Sequence, residues 1–263
     1  MIGAIAGDII GSRFEFNNLK SKDFELFHSD CKFTDDTVLT VAVAEWLMDG
    51  GDLPDIFLKW YTRCGRHRSY GGMFERWLLQ WEKEPYNSFG NGSAMRVSAC
   101  AWVKDDLPSV LDLAKQSAEI THNHPEGIKG AQATAHAILM ARQGDNAQSI
   151  RDAISGTYGY DLSESVDEIR EWYYFNETCQ GTVPQAVICG LEAVSYEDAI
   201  RNAISIGGDS DTVAAITGSI AEGLFGIPDD IRVKALSYLR DDMIAVLDRF
   251  SDHSNGGANA VTC

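Results

Sequence analysis

Positive charge is scarce in this sequence. Its 263 residues include 22 lysines and arginines against 39 aspartates and glutamates, which leaves a formal net charge of −17 at neutral pH. Such a field repels polyphosphate backbones and anionic membrane surfaces. Nucleic acid is therefore disfavoured as a partner, and a small anionic ligand would need backbone amides or a bound cation to offset the surrounding charge.

The chain also lacks the patterns that mark membrane or exported proteins. No uncharged apolar run reaches the roughly 18 residues that a transmembrane helix needs. The apolar start, residues 1–10, has no basic segment and is interrupted by Asp8, so we do not expect a signal peptide. The six cysteines show no Cys-x-x-Cys spacing, which disfavours a disulfide framework or a zinc site. We expect a cytoplasmic protein with reduced thiols and no membrane contact.

Alternating apolar and polar residues, the pattern of strands, are nearly absent, whereas helical periodicity is common. Gly3, Gly7 and Gly11 recur every four residues, which predicts a buried first helix that another backbone approaches closely. Further helices are predicted up to residue 48 and over 53–64, 73–81, 94–103, 108–121, 128–142, 145–155, 165–175, 184–193, 196–205, 211–225 and 228–249. The sequence thus predicts one all-α domain over residues 1–250, followed by a flexible tail over residues 251–263.

Two acidic clusters open apolar helices with the same Asp-Thr-Val sequence. One spans residues 33–37 (Phe-Thr-Asp-Asp-Thr) and the other residues 206–212 (Ile-Gly-Gly-Asp-Ser-Asp-Thr). Helix capping explains either cluster alone, but each has more oxygen ligands than one cap requires. If Asp35, Asp36, Asp209 and Asp211 met in a cleft they would repel strongly, and a hard divalent cation would relieve that repulsion. The sequence leaves open whether the clusters meet.

Three weaker signals accompany these clusters. Residues 87–93 (Asn-Ser-Phe-Gly-Asn-Gly-Ser) precede an apolar run and would expose backbone amides to a phosphate, although no Walker lysine follows. His122 lies in a proline-interrupted His-x-His segment, where lining a pocket is favoured over binding a metal. Glu15 lies in a predicted loop, and from position alone it reads as a solvated acid.

Taken together, these segments resemble the ADP-ribosylglycohydrolase family over nearly the whole chain. The shared motifs are Gly7-Asp8 through Glu15, Thr34-Asp-Asp-Thr37, Ser88 through Arg96, Ile120-Thr-His122 and Gly207-Gly-Asp-Ser-Asp-Thr212. The resemblance implies a compact all-α fold whose central cleft holds two magnesium or manganese ions. The implied metal ligands are Thr34, Asp35, Asp36, Asp209, Asp211 and Thr212.

The resemblance also implies an activity, the release of ADP-ribose from a modified protein side chain or a related ADP-ribose conjugate. Glu15 becomes the candidate for general acid–base catalysis, a task that Asp35 or Asp36 would share in such a site. The implied substrate-binding residues are Tyr70, Gly71, Ser88, Phe89, Gly90, Asn91, Gly92 and His122.

Alternatives remain at this point. Arginine-specific bacterial members of the family carry an aspartate in the loop that here reads Arg68-Ser-Tyr-Gly-Gly72, and the loop is closer to the serine type. A catalytically silent ADP-ribose-binding or structural protein of the same fold is a second hypothesis, since lens crystallins belong to the family. A two-metal phosphoesterase is a third. The sequence leaves open the acceptor linkage, the target protein, the metal and the oligomeric state.

Overall fold

The computed structural model describes residues 1–256, which form one compact all-helical domain, as predicted. The α-helices are α1 (Ile2–Gly11), α2 (Asp35–Asp49), α3 (Leu53–Cys64), α4 (Gly72–Leu78), α5 (Gly92–Met95), α6 (Leu107–Glu119), α7 (Pro125–Arg142), α8 (Ala147–Tyr158), α9 (Val166–Trp172), α10 (Cys179–Leu191), α11 (Tyr196–Ile206), α12 (Ser210–Phe225), α13 (Asp229–Leu236) and α14 (Asp241–Gly256). Within the described range the only β pairing is an isolated bridge between Gly90 and Thr178.

The glycine face of α1 packs against α12, as the spacing predicted. A Cβ on Gly7 would lie 2.0 Å from the carbonyl oxygen of Ala214, and one on Gly11 would lie 2.5 Å from that of Ser210. The two helices therefore run antiparallel at a separation that no larger side chain permits. As a result, the carboxyl end of α1 reaches the amino end of α12, where Asp211 lies.

We expect Gly7→Ala to lower the free energy of unfolding by about 3 kcal/mol, because the added methyl group would force this helix pair apart. Urea denaturation measures the change. Gly156→Ala in α8 is the matched control, since a Cβ there meets nothing within 4 Å and alanine is the better helix former. Equal midpoints for the Gly7 variant and the wild type would show that the contact is not tight.

The predicted helix over residues 228–249 is wrong, because the structure divides it into α13 and α14. Between them the chain tightens, with the amides of Tyr238 and Leu239 bonding three residues back. The Tyr238 ring stacks on Phe27 at 5.9 Å and its hydroxyl donates to the His28 carbonyl at 3.0 Å. The contacts of Tyr238 with Phe27 and His28 therefore lie where α13 and α14 separate, and no glycine or proline stands between the two helices.

Two other predicted helix boundaries are corrected. Helix α10 begins at Cys179, so Pro184 lies inside it and does not start it. The apolar run 94–103 is not one helix: it contains the end of α5 and a 3₁₀ turn, Ser98–Ala101.

At the carboxyl end, α14 continues to Gly256, so residues 251–256 of the predicted flexible tail are helical and residues 257–263 lie outside the described range. None of the helices in residues 1–256 combines the length and apolar character needed to cross a membrane.

Candidate active site

A cleft of about 270 Å³ opens where the carboxyl end of α1 meets the amino ends of α2 and α12 and the glycine-rich loop before α5. Most of the candidate site residues line it: Glu15, Asp35, Asp36, Gly71, Ser88, Gly90, Asn91, Gly92, His122, Asp209, Asp211 and Thr212. The two acidic clusters, which are far apart in the sequence, thus face the same cavity.

Asp8 joins α1 to the start of α2. Its carboxylate is fully buried and accepts hydrogen bonds from the backbone amides of Thr34 (3.0 Å) and Thr37 (3.2 Å) and from both threonine hydroxyls. Burial raises the pKa of Asp8, and the threonine bonds oppose that rise. The sequence interpretation missed this role, although a single acid inside an apolar helix was the visible signal.

Carboxylates crowd one wall of the cleft. Oxygens of Glu15, Asp209 and Asp211 all lie within 4.8 Å of one another. Asp36, in the acidic cluster at the start of α2, is also buried, and its Oδ2 has no hydrogen-bond partner among residues 1–256. Glu15 is only 8% exposed, so the interpretation of this residue as a solvated loop acid is wrong.

This crowding of buried carboxylates raises their pKa values. Burial, together with the neighbouring Asp211, raises the pKa of Glu15 to about 8. Burial raises the pKa of Asp209 to about 6, even though Asn91 donates to that carboxylate at 2.7 Å. Burial and Asp211 also hold the pKa of Asp36 well above its ordinary value. Crowding and burial therefore favour protons on these carboxyl groups, and a bound cation would favour the ionised forms instead.

The donor set of this wall fits a hard divalent cation. The oxygen atoms that it offers belong to carboxylates and hydroxyls, and the described cleft lining contains no cysteine. The unpartnered Oδ2 of Asp36 is the clearest sign, since a buried acceptor without a partner costs about 1–3 kcal/mol unless something binds it. Thr34 gives its hydroxyl hydrogen to Asp8 at 2.7 Å, which leaves only oxygen lone pairs for other contacts.

Metal-free protein should lose thermal stability as the pH rises through about 6 and then about 8. The raised pKa values of Asp209 and Glu15 mean that the folded state holds protons that the unfolded chain releases near pH 4. The stabilisation that these protons provide is complete below about pH 4 and is lost as the two groups ionise in the folded protein. Differential scanning fluorimetry in chelator and in manganese measures this effect. Manganese should raise Tm most at high pH, and Asp211→Asn should flatten both responses. A Tm that rises with pH in chelator would contradict the interpretation.

The glycine-rich loop offers fewer free amides than the sequence suggested. The amide of Ser88 donates to the Thr121 carbonyl at 3.3 Å, and that of Gly90 to the Ser88 hydroxyl at 3.1 Å. The amide of Asn91 donates to the Glu177 carbonyl at 2.7 Å. These three groups hold the loop in shape, so the expectation of a row of free amides for phosphate is corrected.

Three predicted site residues do not line the cleft. Tyr70 packs its buried ring against Tyr61 at 4.9 Å, and Phe89 lies 44% exposed beside His124. Thr34 is fully buried behind the cleft wall, where it caps α2 by accepting from the amide of Asp36. The structure therefore gives no support to a direct substrate contact for Tyr70, while its neighbour Gly71 does line the cleft.

Asn18 is a second residue that the sequence interpretation missed. Its side-chain amide donates to the carbonyls of Glu15 (3.1 Å) and Gly208 (2.8 Å) and accepts from the amide of Gly208 at 2.7 Å. It thereby fastens the Glu15 loop to the turn that precedes Asp209. No local pattern distinguishes this asparagine from Asn17 beside it.

Comparisons with known proteins relate this chain to one family. The family model described as ADP-ribosylglycohydrolase matches residues 1–259. ADP-ribosylhydrolase ARH3 of Homo sapiens is 25% identical over 328 residues, covering 93% of this chain and 90% of that protein. ADP-ribosylarginine hydrolase Tri1 of Pseudomonas putida (strain GB-1) is 24% identical, covering 86% of this chain and 70% of that protein.

Among solved structures, a chain of an "ADP-ribosylglycohydrolase-related protein complex" superposes with a TM-score of 0.69 at 23% identity. The superposition covers 96% of this chain and 97% of that one, which shows a shared fold. With a family model that spans residues 1–259, this chain belongs to the ADP-ribosylglycohydrolase family.

Proposed function

We propose that this protein is a metal-dependent hydrolase that cleaves the glycosidic bond between ADP-ribose and a modified protein side chain, or a related conjugate, and releases ADP-ribose. The observation that carries the proposal is the meeting of both acidic clusters in one cleft beside Glu15. The names of the human and Pseudomonas relatives, an ADP-ribosylhydrolase and an ADP-ribosylarginine hydrolase, support the reaction class.

Two magnesium or manganese ions are the proposed cofactors. The residues that would hold them are Asp35, Asp36, Asp209, Asp211 and Thr212, which line the cleft. Thr34, the sixth ligand expected from the resemblance, lies behind the cleft wall and would support this set through Asp8 and Asp36. The cluster of Glu15 with Asp209 and Asp211 adds Glu15 as a further candidate ligand. Bound divalent ions would lower the pKa of a water molecule and offset negative charge in the cleft.

Glu15 is the proposed general acid–base residue. Glycosidic cleavage needs a proton for the leaving group and a base for the attacking water. The carboxyl group of Glu15 lies on the wall of the cleft, where it could give a proton to the leaving group or take one from water. Asp35, which is partly exposed at the start of α2, is the alternative for the second proton transfer.

The glycine-rich loop is the proposed site of the diphosphate and the ribose. Asn91 connects this loop to the acidic wall, because its side chain donates to Asp209 at 2.7 Å and to the Thr182 hydroxyl at 3.2 Å. An ADP-ribose unit that contacts Ser88, Gly90 and Gly92 would therefore reach the carboxylates with the ribose end. In this proposal the glycosidic bond would lie beside Glu15.

Glu15→Gln should reduce the turnover of an ADP-ribosylated peptide by about a hundredfold or more, while the affinity for ADP-ribose stays within a few-fold. The amide keeps the shape of the side chain and removes its proton transfer. Initial rates and isothermal titration with ADP-ribose separate the two effects. Glu25→Gln, an exposed acid in the loop that follows, is the control. Unchanged turnover in the Glu15 variant would remove the residue from catalysis.

The activity is tested with matched arginine-linked and serine-linked ADP-ribosylated peptides, with magnesium or manganese and with chelator. Release of ADP-ribose from one peptide, abolished by chelator, would support the proposal and identify the linkage. Release of AMP or inorganic phosphate would point instead to a two-metal phosphoesterase. Binding of ADP-ribose with no release from either peptide would point to a catalytically silent binding protein.

A further inference from the structure

Arg96 is a buried cation next to the cleft, and its guanidinium can only donate hydrogen bonds. Its side chain is 0% exposed, and its guanidinium lies 4.9 Å from the centre of the Phe57 ring. Nη2 donates to the Ser117 carbonyl at 2.7 Å and to the Thr121 hydroxyl oxygen at 2.9 Å. A guanidinium has donors only, so the Thr121 oxygen must accept from Arg96.

Because the Thr121 oxygen accepts from Arg96, the hydrogen of the Thr121 hydroxyl must find a different acceptor. The hydroxyl is fully buried, and its other contact within residues 1–256 is Nδ1 of His122, at 2.7 Å. If His122 carried its proton on Nδ1, the buried threonine hydrogen would have no acceptor, which is unfavourable. The hydroxyl therefore donates to Nδ1, and the ring proton resides on Nε2.

Nε2 faces the glycine-rich loop. A Cβ built on Gly92 would lie 3.3 Å from this nitrogen, and one built on Gly90 would lie 3.5 Å from it. Within the described residues Nε2 has no hydrogen-bond partner, and His122 lines the cleft. The Nε2–H tautomer of His122 thus presents a free N–H donor to the cleft, beside two glycines that leave room for a ligand.

We propose that Arg96 and Thr121 are positioning residues that hold His122 in its Nε2–H tautomer, so that it donates to an acceptor oxygen of the bound ADP-ribose unit. Burial and the nearby Arg96 charge lower the pKa of His122 well below its ordinary value, so the ring is neutral at neutral pH. The ligand contact rests on the proposed function, whereas the tautomer does not depend on it.

The tautomer is measured directly by long-range ¹H–¹⁵N correlation spectra of protein labelled with ¹⁵N in its histidines. His122→Gln identifies the signals by their loss. We expect a protonated Nε2 and an unprotonated, pyridine-type Nδ1 in the wild type. A protonated Nδ1 in the wild type would overturn the proposal without any reference to catalysis, since this spectrum requires neither substrate nor turnover.

Thr121→Val and Thr121→Ser test the role of the hydroxyl. Valine keeps the shape and removes the donor that selects one tautomer, so a second tautomer of His122 should become populated and ADP-ribose should bind about threefold more weakly. Serine keeps the donor, and both properties should stay close to the wild type. A valine variant with an unchanged tautomer would overturn the proposal. A changed tautomer with unchanged ADP-ribose affinity would remove the ligand contact and leave the positioning role.

Discussion

Replacing Asp211 with asparagine should reduce ADP-ribose release by about a thousandfold, the largest effect on activity that we expect from a single site. Asp211 lies at the start of α12 and is 3% exposed. One of its oxygens lies within 4.8 Å of one oxygen each of Glu15 and Asp209. Asp211 is also the main neighbouring charge that raises the pKa of Glu15 and Asp36. Asparagine keeps the size of the side chain and removes its charge.

Two properties would change together in this variant. With Asp211 neutral, the pKa of Glu15 should fall toward the ordinary range of a glutamate, because a repelling neighbour is gone. Affinity for manganese should fall by about ten- to a hundredfold, since an oxygen donor of the wall has become a weaker one. The alkaline limb of the residual activity against pH and a manganese titration followed by Tm measure these changes.

Asp241→Asn is the matched control, because Asp241 is also an acid in the first turn of a helix but is exposed and far from the cleft. It should leave turnover, metal affinity and Tm unchanged. An Asp211→Asn variant that keeps full turnover in manganese would show that the acidic wall does not act in the reaction.

Asp8→Asn should lower the free energy of unfolding by about 3 kcal/mol, the largest effect on stability among substitutions that preserve side-chain size. The carboxylate accepts from the amides and hydroxyls of Thr34 and Thr37. An asparagine presents an NH₂ group to at least one of those donors, so a buried donor loses its acceptor and faces another donor. Urea denaturation measures the loss.

The same substitution should also reduce turnover, by about tenfold in the fraction that remains folded, because Thr34 and Asp36 would no longer be held at the cleft wall. Asp49→Asn at the opposite end of α2 is the control, since that carboxylate is exposed and pairs with Arg249 on the surface. If the Asp8→Asn variant were as stable as the Asp49→Asn control, apolar packing alone would position α2.

Local patterns in the sequence predicted most of the helices, because amphipathic periodicity and capping residues act within one or two turns. The close approach of α1 to another helix followed from Gly3, Gly7 and Gly11, and both acidic clusters were placed correctly at helix starts. The family resemblance, carried by five motifs in order, was confirmed by the family model. The roles of the individual site residues stay predictions.

Only the tertiary structure brought the clusters together, because the contacts responsible join residues with no local relation in the chain. Asp8 reaches Thr34 across 26 residues, and Asn91 reaches Asp209 across 118. The same applies to the break before α14, which depends on Tyr238 binding at His28. Periodicity reports which face of a helix is buried, whereas the partner of a buried polar group is decided by where the whole chain packs.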